Sequence, residues 1–110
     1  MKKPLSIVTG AAKGIGKAIA LRLKHDGFFV VIADTDVEGG KILENELGTD
    51  CSRFIQCNIA EEDEVVHLFK EVRLISDNID VVVNNAGIIR DKMIWKMSVN
   101  EFDEVMSVNL

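Results

Sequence analysis

A glycine-rich turn lies near the start of the sequence, where a short apolar run changes to a helical pattern. Its residues are Thr9-Gly10-Ala11-Ala12-Lys13-Gly14-Ile15-Gly16. Gly10 permits a sharp turn, Gly14 lets a backbone approach a phosphate without a Cβ clash, and Gly16 lets a helix pack closely on a sheet. The N-terminus of that helix offers free N–H groups to a pyrophosphate. The turn therefore predicts nucleotide binding; the alternative is a tight strand–helix connection without a ligand.

The spacing of this turn disfavours an ATPase or GTPase. A mononucleotide P-loop needs Lys and then Ser or Thr after its last glycine, and another glycine five residues before that last one. Here Gly16 is followed by Lys17 and Ala18, and Ala11 stands five residues before it. No hydroxyl is placed to bind Mg²⁺, so a dinucleotide fits the turn better.

Asp34 ends the second apolar run, 18 residues after Gly16. A carboxylate there can accept hydrogen bonds from both hydroxyls of an adenosine ribose, and it would repel a 2′-phosphate. Lys13 in the glycine turn partly offsets that repulsion, but the carboxylate lies at the ribose itself. The sequence therefore predicts NAD as the cofactor, with NADP disfavoured. The alternative is that Asp34 merely starts the turn before Asp36.

Short apolar runs alternate with amphipathic patterns along the chain, and these elements must position the residues above. The predicted strands cover about 5–8, 28–33, 53–57 and 79–83, and the predicted helices cover about 15–25, 37–47, 61–72 and the residues from 98 onward. Short connections and right-handed crossovers make this order an α/β fold. We expect one domain over residues 1–110, a Rossmann-type doubly wound parallel sheet truncated after about four strands.

Composition and charge exclude several classes of protein. A chain that is 47% hydrophobic is too apolar to be disordered, and a net charge of −5 with interspersed signs argues against a nucleic-acid surface. No apolar run could span a membrane, and the N-terminus lacks a signal peptide. Cys51 and Cys57 would lie roughly 20 Å apart along a strand, too far for a disulfide. We expect a cytoplasmic protein with free thiols and no metal site.

Asn84-Asn85-Ala86-Gly87 follows the fourth predicted strand. Together with the glycine turn, this motif resembles the short-chain dehydrogenase/reductase family over the whole chain. The resemblance implies that the second motif stabilises the central strands and lines the adenosine ribose. The candidate cofactor-binding residues are then Gly10, Lys13, Gly14, Ile15, Gly16, Asp34, Asn58, Ile59, Asn85, Ala86 and Gly87.

Asn58 departs from the family pattern after the third predicted strand. The family often has Asp there, which accepts a hydrogen bond from the adenine amino group. An Asn side-chain oxygen can accept the same bond without the charge. The backbone of the neighbouring Ile59 would contact the adenine ring.

The last part of the chain resembles the 3-oxoacyl-thioester reductase branch of the family. The resemblance rests on residues 87–92, Met97-Ser98, Phe102-Asp103 and Asn109-Leu110. That branch commonly prefers NADPH and lacks an acid at the position of Asp34, which conflicts with the expectation of NAD.

Asn109 matches the first member of the family's Asn-Ser-Tyr-Lys tetrad, where it helps to hold a water in the proton relay; a surface Asn is the alternative. The chain contains no tyrosine, and its serines all precede the strand that should carry the catalytic one. We therefore expect this chain alone to be inactive.

The resemblance implies an NAD(P)-dependent oxidoreductase that transfers hydride between the cofactor and a small carbonyl or secondary alcohol. This chain would be the cofactor-binding half of a longer, homo-oligomeric parent, with no nucleic-acid or membrane partner. One alternative is a non-catalytic NAD-binding module or oligomerising half-domain. Another is a structural remnant that binds no nucleotide.

Overall fold

The computed structural model describes residues 3–85, which form a four-stranded parallel sheet with three helices. The strands are β1 (Leu5–Thr9), β2 (Phe29–Asp34), β3 (Ser52–Gln56) and β4 (Val81–Asn84). The helices are α1 (Gly14–His25), α2 (Val37–Leu47) and α3 (Glu62–Ile75). The strand order is β3-β2-β1-β4, with β1 and β2 in the interior. The predicted α/β fold with a doubly wound parallel sheet is confirmed.

The pairing of the strands brings their carboxyl ends to one edge of the sheet. Thr9 at the end of β1 lies opposite Ala33 of β2 and Asn84 of β4. Asp34 at the end of β2 lies opposite Gln56 of β3. Ligands of open α/β sheets bind outside this edge, where neighbouring strands connect to helices on opposite faces.

The interior strands β1 and β2 are buried on both faces of the sheet, which explains why β2 is a continuous apolar run. Val31 and Ala33 belong to a core cluster on the α3 face. Val30 and Ile32 alternate with them and belong to a second cluster on the α1 and α2 face. The helices contribute Val65, Leu68, Phe69 and Val72 to the first cluster and Ala20, Leu43 and Leu47 to the second.

Local residues set both ends of α2 and the end of α1 where the sequence predicts them. Helix α3 runs to Ile75, three residues beyond its predicted end. Asp36 caps α2 by accepting a hydrogen bond from the Gly39 N–H at 2.9 Å. Gly48 ends the same helix with a φ of 96°, and Gly27 follows α1 with a φ of 93°. These positive φ values favour glycine.

Three strands are displaced by one or two residues from their predicted bounds. The reason is clearest at β4, where the apolar pattern starts at Ile79 but the strand starts at Val81. Ile79 is buried in the α3-face cluster. Asp80 bonds to both backbone groups of Leu5 before the ladder begins: its N–H donates to the carbonyl oxygen at 2.9 Å, and its Oδ2 accepts from the N–H at 2.8 Å.

Cys51 and Cys57 are free thiols, as predicted. Within residues 3–85, no helix has the length and apolar character needed to cross a membrane. The predicted helix starting at Ser98 lies outside the described residues, as do Ala86, Gly87 and Asn109.

Candidate functional site

The glycine turn joins β1 to α1 at the carboxyl edge of the sheet. Gly10 and Gly14 have φ values of 63° and 62°, a region that residues with a side chain rarely adopt. The Gly10 N–H donates to the carbonyl oxygen of Ala33 at 2.8 Å, which fixes the start of the turn against β2. Both glycines are therefore required by the shape of the backbone.

The start of α1 presents open space to an anion. A Cβ built on Gly14 would meet nothing within 4 Å, and the next residue, Ile15, is 74% exposed. Lys13 occupies the N-cap position of α1 without a side-chain cap, and the first turn holds no acid. By contrast, Asp36 caps α2 and three acids lie in the first turn of α3. The N–H groups of α1 thus remain available to a phosphate.

Gly16 is the place where α1 packs against the turn. A Cβ there would clash with the carbonyl oxygen of Gly10 and with the side chain of Asn85. Asn85 Nδ2 donates to that same carbonyl oxygen at 3.2 Å, and the Asn85 N–H donates to Thr9 Oγ1 at 3.0 Å. The residues after β4 therefore hold the glycine turn from the side opposite β2.

Asp34 connects the glycine turn to the start of α2. Its Oδ2 accepts from the Ala12 N–H at 3.0 Å, and its Oδ1 accepts from the Asp36 N–H at 2.9 Å. Asp34 thus does start the turn before Asp36, the role considered above as an alternative. Each carboxylate oxygen retains a further lone pair, so the same side chain can still accept bonds from ribose hydroxyls.

A cavity of about 200 Å³ lies beside Asp34. Its lining residues are Gly10, Ala33, Asp34, Thr35, Cys57, Asn58 and Ile59. Pockets that enclose a drug-sized ligand hold roughly 300–1,000 Å³, so this one suits one end of a longer ligand. The predicted site residues Asp34, Asn58 and Ile59 therefore line the same cavity.

The sequence prediction missed Glu64, which positions the cavity residue Asn58 through a hydrogen bond. Glu64 Oε1 accepts from the Asn58 N–H at 3.0 Å, from the first turn of α3. Glu62 and Asp63 lie in the same first turn of α3, where the helix N-terminus stabilises any acid. The acidic run therefore does not distinguish Glu64 from its neighbours. Glu64 lies six residues after Asn58 in the sequence. The path of the chain between them cannot be deduced from the sequence pattern.

The prediction also missed three residues of the cavity lining: the apolar Ala33, which precedes Asp34, and the polar Cys57 and Thr35. For the last two, the neighbouring residues are informative. Each is adjacent to a predicted site residue, Asn58 and Asp34 respectively, and that adjacency is the signal that could have found them. The Cys57 thiol is buried and donates to the Glu64 carbonyl oxygen at 3.5 Å. Burial, with a smaller contribution from the Glu64 charge, raises the pKa of Cys57 to about 11. The thiol is therefore protonated near neutral pH and is not a nucleophile.

The predicted residues within 3–85 lie together at the carboxyl edge of the sheet. They fall into three groups: the turn residues Gly10, Lys13, Gly14, Ile15 and Gly16, the cavity residues Asp34, Asn58 and Ile59, and Asn85 after β4. The turn offers backbone N–H donors, and the cavity lies beside a carboxylate.

Comparisons with known proteins agree with this arrangement. A family model described as short chain dehydrogenase matches residues 5–110. The chain is 38% identical over 109 residues to the 3-oxoacyl-(acyl-carrier-protein) reductase FabG of Aquifex aeolicus, an alignment that covers 96% of this chain and 44% of the relative. It is 39% identical over 108 residues to the reductase of the same name from Staphylococcus aureus, with the same two coverages.

A solved structure supports the same likeness. The crystal structure of a metagenomic short-chain oxidoreductase in complex with NADP aligns with a TM-score of 0.72 and 33% sequence identity. The alignment covers 77% of this chain and 39% of that one. The chain thus spans less than half the length of the relatives that it matches.

Proposed function

Because the chain belongs to the short-chain dehydrogenase family, we propose that it is the NAD-binding half of an oxidoreductase. The parent enzyme transfers hydride between the nicotinamide cofactor and a small carbonyl or secondary alcohol. One observation carries the proposal: the open turn at Gly14 and the cavity beside Asp34 lie at the same edge of the sheet. A dinucleotide needs both, one for its pyrophosphate and one for its adenosine.

The residues present fit such a cofactor. Gly14 leaves room over the start of α1 for the pyrophosphate, which accepts hydrogen bonds from the helix N–H groups. Asp34 accepts bonds from the ribose hydroxyls, and the adenine enters the cavity between the β2 and β3 ends, beside Asn58 and Ile59. When bound, the nicotinamide supplies the hydride acceptor or donor.

Asp34 favours NAD over NADP. Its carboxylate is held in position by the backbone N–H groups of Ala12 and Asp36, so it cannot swing away without breaking both bonds. A 2′-phosphate would bring additional negative charge against it, and two like charges about 4 Å apart repel by roughly 1–4 kcal/mol at the dielectric constants of a protein surface. Lys13 is exposed and makes no compensating ion pair with this carboxylate among residues 3–85.

The names of the relatives support a proposal for the substrate class. Both reductases above carry the name 3-oxoacyl-(acyl-carrier-protein) reductase. A 3-oxoacyl thioester is a small carbonyl substrate in the sense of the proposal, and we assign the parent to its reduction. Asn109 would hold a water in the proton relay, and the parent would form a homo-oligomer.

A second function is favoured by one feature, the lack of tyrosine in the 110 residues. Without the Tyr of the tetrad, this chain alone would be a non-catalytic NAD-binding module or an oligomerising half-domain. The intact mass of the protein from its own cell distinguishes the two. A mass near 12.2 kDa supports the module, and a mass about twice as large supports the enzyme.

Calorimetric titration with reduced NAD and reduced NADP tests the proposal. We expect the full-length protein to bind reduced NAD more tightly. Replacement Asp34→Asn removes the charge and keeps one acceptor oxygen, and with it one of the two backbone hydrogen bonds. It should raise the affinity for NADP relative to NAD at least about tenfold.

The control is Asp36→Asn, which removes the same charge two residues away and keeps a good helix cap. It should leave the ratio of the two affinities unchanged. The Asp34 assignment is wrong if Asp34→Asn also leaves the ratio unchanged. The proposed function is wrong if the wild-type protein binds neither dinucleotide.

A further inference from the structure

The polar groups of Asn58 are almost all used inside the β3–α3 connection. Its N–H donates to Glu64 Oε1 and its carbonyl oxygen accepts from the Glu61 N–H, both at 3.0 Å. Its side-chain oxygen accepts from the Ala60 N–H at 3.0 Å. Within the part of the chain that the structure describes, its Nδ2 makes no hydrogen bond to another residue. Nδ2 can therefore donate to a ligand, and Oδ1, which keeps a second lone pair, can also accept a hydrogen bond from one.

The orientation of this amide follows from the chemistry of its partner. A backbone N–H such as that of Ala60 can only donate, so the side-chain atom that faces it must be the oxygen. Turning the amide over would set two donors against each other. Nδ2 therefore keeps its position as long as Ala60 keeps its own.

The cavity offers few other polar side chains that could recognise a base. Asp34 accepts two backbone bonds and lies at the ribose position. The Cys57 thiol is buried and donates to the Glu64 carbonyl oxygen. The other polar side chains of the lining are those of Thr35, which follows Asp34, and Asn58, beside which we propose that the base lies.

We infer that the amide of Asn58 lets this cavity bind a 6-oxopurine such as hypoxanthine about as well as adenine. The inference rests on the proposed function. Nδ2 can donate to the 6-oxo oxygen of hypoxanthine, and Oδ1 can accept from the 6-amino group of adenine. A carboxylate at the same place can only accept, so it would bind the 6-amino group and repel a 6-oxo group.

Calorimetry of the full-length protein tests this inference without requiring turnover. The probes are reduced NAD and its hypoxanthine analogue, reduced nicotinamide hypoxanthine dinucleotide, together with the corresponding NADP pair. Whichever of the two cofactors the wild-type protein binds, we expect the dissociation constants of its adenine and hypoxanthine forms to agree within about threefold. Replacement Asn58→Asp should shift the ratio at least about tenfold toward adenine, because a hydrogen bond to a charged group is stronger than one between neutral groups.

Asn58→Asp keeps an acceptor oxygen for the Ala60 N–H. The measured quantity is the ratio of the two dissociation constants, which does not change when part of the protein is unfolded. The matched control is Asn78→Asp, which adds the same charge in an exposed position before β4, at the opposite edge of the sheet. It should leave the ratio unchanged.

Two outcomes would overturn the inference: a wild-type preference for adenine of tenfold or more, or an Asn58→Asp protein with the wild-type ratio. If the wild-type protein binds none of the four dinucleotides, the proposed function itself is contradicted, and the inference with it.

Discussion

At the residue scale, Asp34 couples two loops that the sequence separates by more than twenty positions. Its two oxygens bond to Ala12 in the glycine turn and to Asp36 before α2. The residue that selects the cofactor therefore also shapes the turn that holds the pyrophosphate. A replacement that removes both oxygens, such as Asp34→Ala, should weaken the binding of NAD and NADP together. For this reason Asn is the more informative replacement.

Cys57 should make the stability of the protein sensitive to alkaline pH. Its pKa is about 11 in the folded state, against an ordinary value of 9.0, so between these values the folded protein keeps a proton that the unfolded chain loses. The contribution to the free energy of unfolding is complete below pH 9 and declines as the pH rises toward 11. Urea unfolding at a series of pH values measures this decline.

The serine variant Cys57→Ser provides the comparison, since a hydroxyl can donate to the Glu64 carbonyl oxygen but does not titrate in this range. Its stability should fall less than that of the wild type between pH 9 and 11. Parallel curves for the two proteins would contradict the effect.

The residue types of the site could be predicted from the sequence, but their bonds could not. The places of Gly10, Gly14 and Asp34 follow from strand ends and spacing. The bond from Glu64 to Asn58, by contrast, depends on the path of the β3–α3 connection. That path is set by hydrogen bonds among residues 57–64, which no periodic pattern describes.

At the element scale, the ends of α2 were more predictable than the ends of the strands. Helix α2 begins after Asp36 and ends before Gly48, and both residues act through bonds or dihedral angles within a few positions. A strand ends where its partner ends, so the bounds of β4 depend on β1, which lies some 75 positions away along the chain. Local sequence carries little information about such a pairing.

The start of α1 gives a prediction that separates conformational strain from ligand binding. Gly14 and Gly27 both have positive φ and open space around a Cβ. An alanine at either position should destabilise the protein by about 1–2 kcal/mol, because L-residues disfavour this conformation. Only Gly14→Ala also places a methyl group where the pyrophosphate should lie, and it should weaken the binding of reduced NAD at least about tenfold.

Thermal unfolding and calorimetry on both variants provide the two measurements. Gly27→Ala is the control for strain, since it follows α1 at the opposite edge of the sheet. Equal affinity of the two variants for the cofactor would show that the phosphate lies elsewhere.

At the scale of the whole molecule, the sheet divides the interior into two cores. Ile32 belongs to the core under α1 and α2, and Ile79 belongs to the core under α3. Replacement of either by Val should cost about 0.5–1.5 kcal/mol. Because the two side chains share no cluster, the double variant should lose the sum of the two values within about 0.5 kcal/mol.

Urea unfolding of the two single variants and the double variant measures this additivity. A coupling energy clearly above 0.5 kcal/mol would mean that the sheet transmits the change from one core to the other. The α/β class itself was predictable from the alternation of patterns. The strand order β3-β2-β1-β4 is a long-range property that the alternation leaves open.

The position of β1 between β2 and β4 has a consequence for the protein as it is being synthesised. The chain leaves the ribosome N-terminus first, so β2 can pair with β1 about fifty residues before β4 has been made. Synthesis adds roughly 5–20 residues per second, so the backbone groups along one edge of β1 remain unpaired for seconds. During this time the nascent glycine turn is held by Ala33 and Asp34 alone. It gains its second support only when Asn85 emerges.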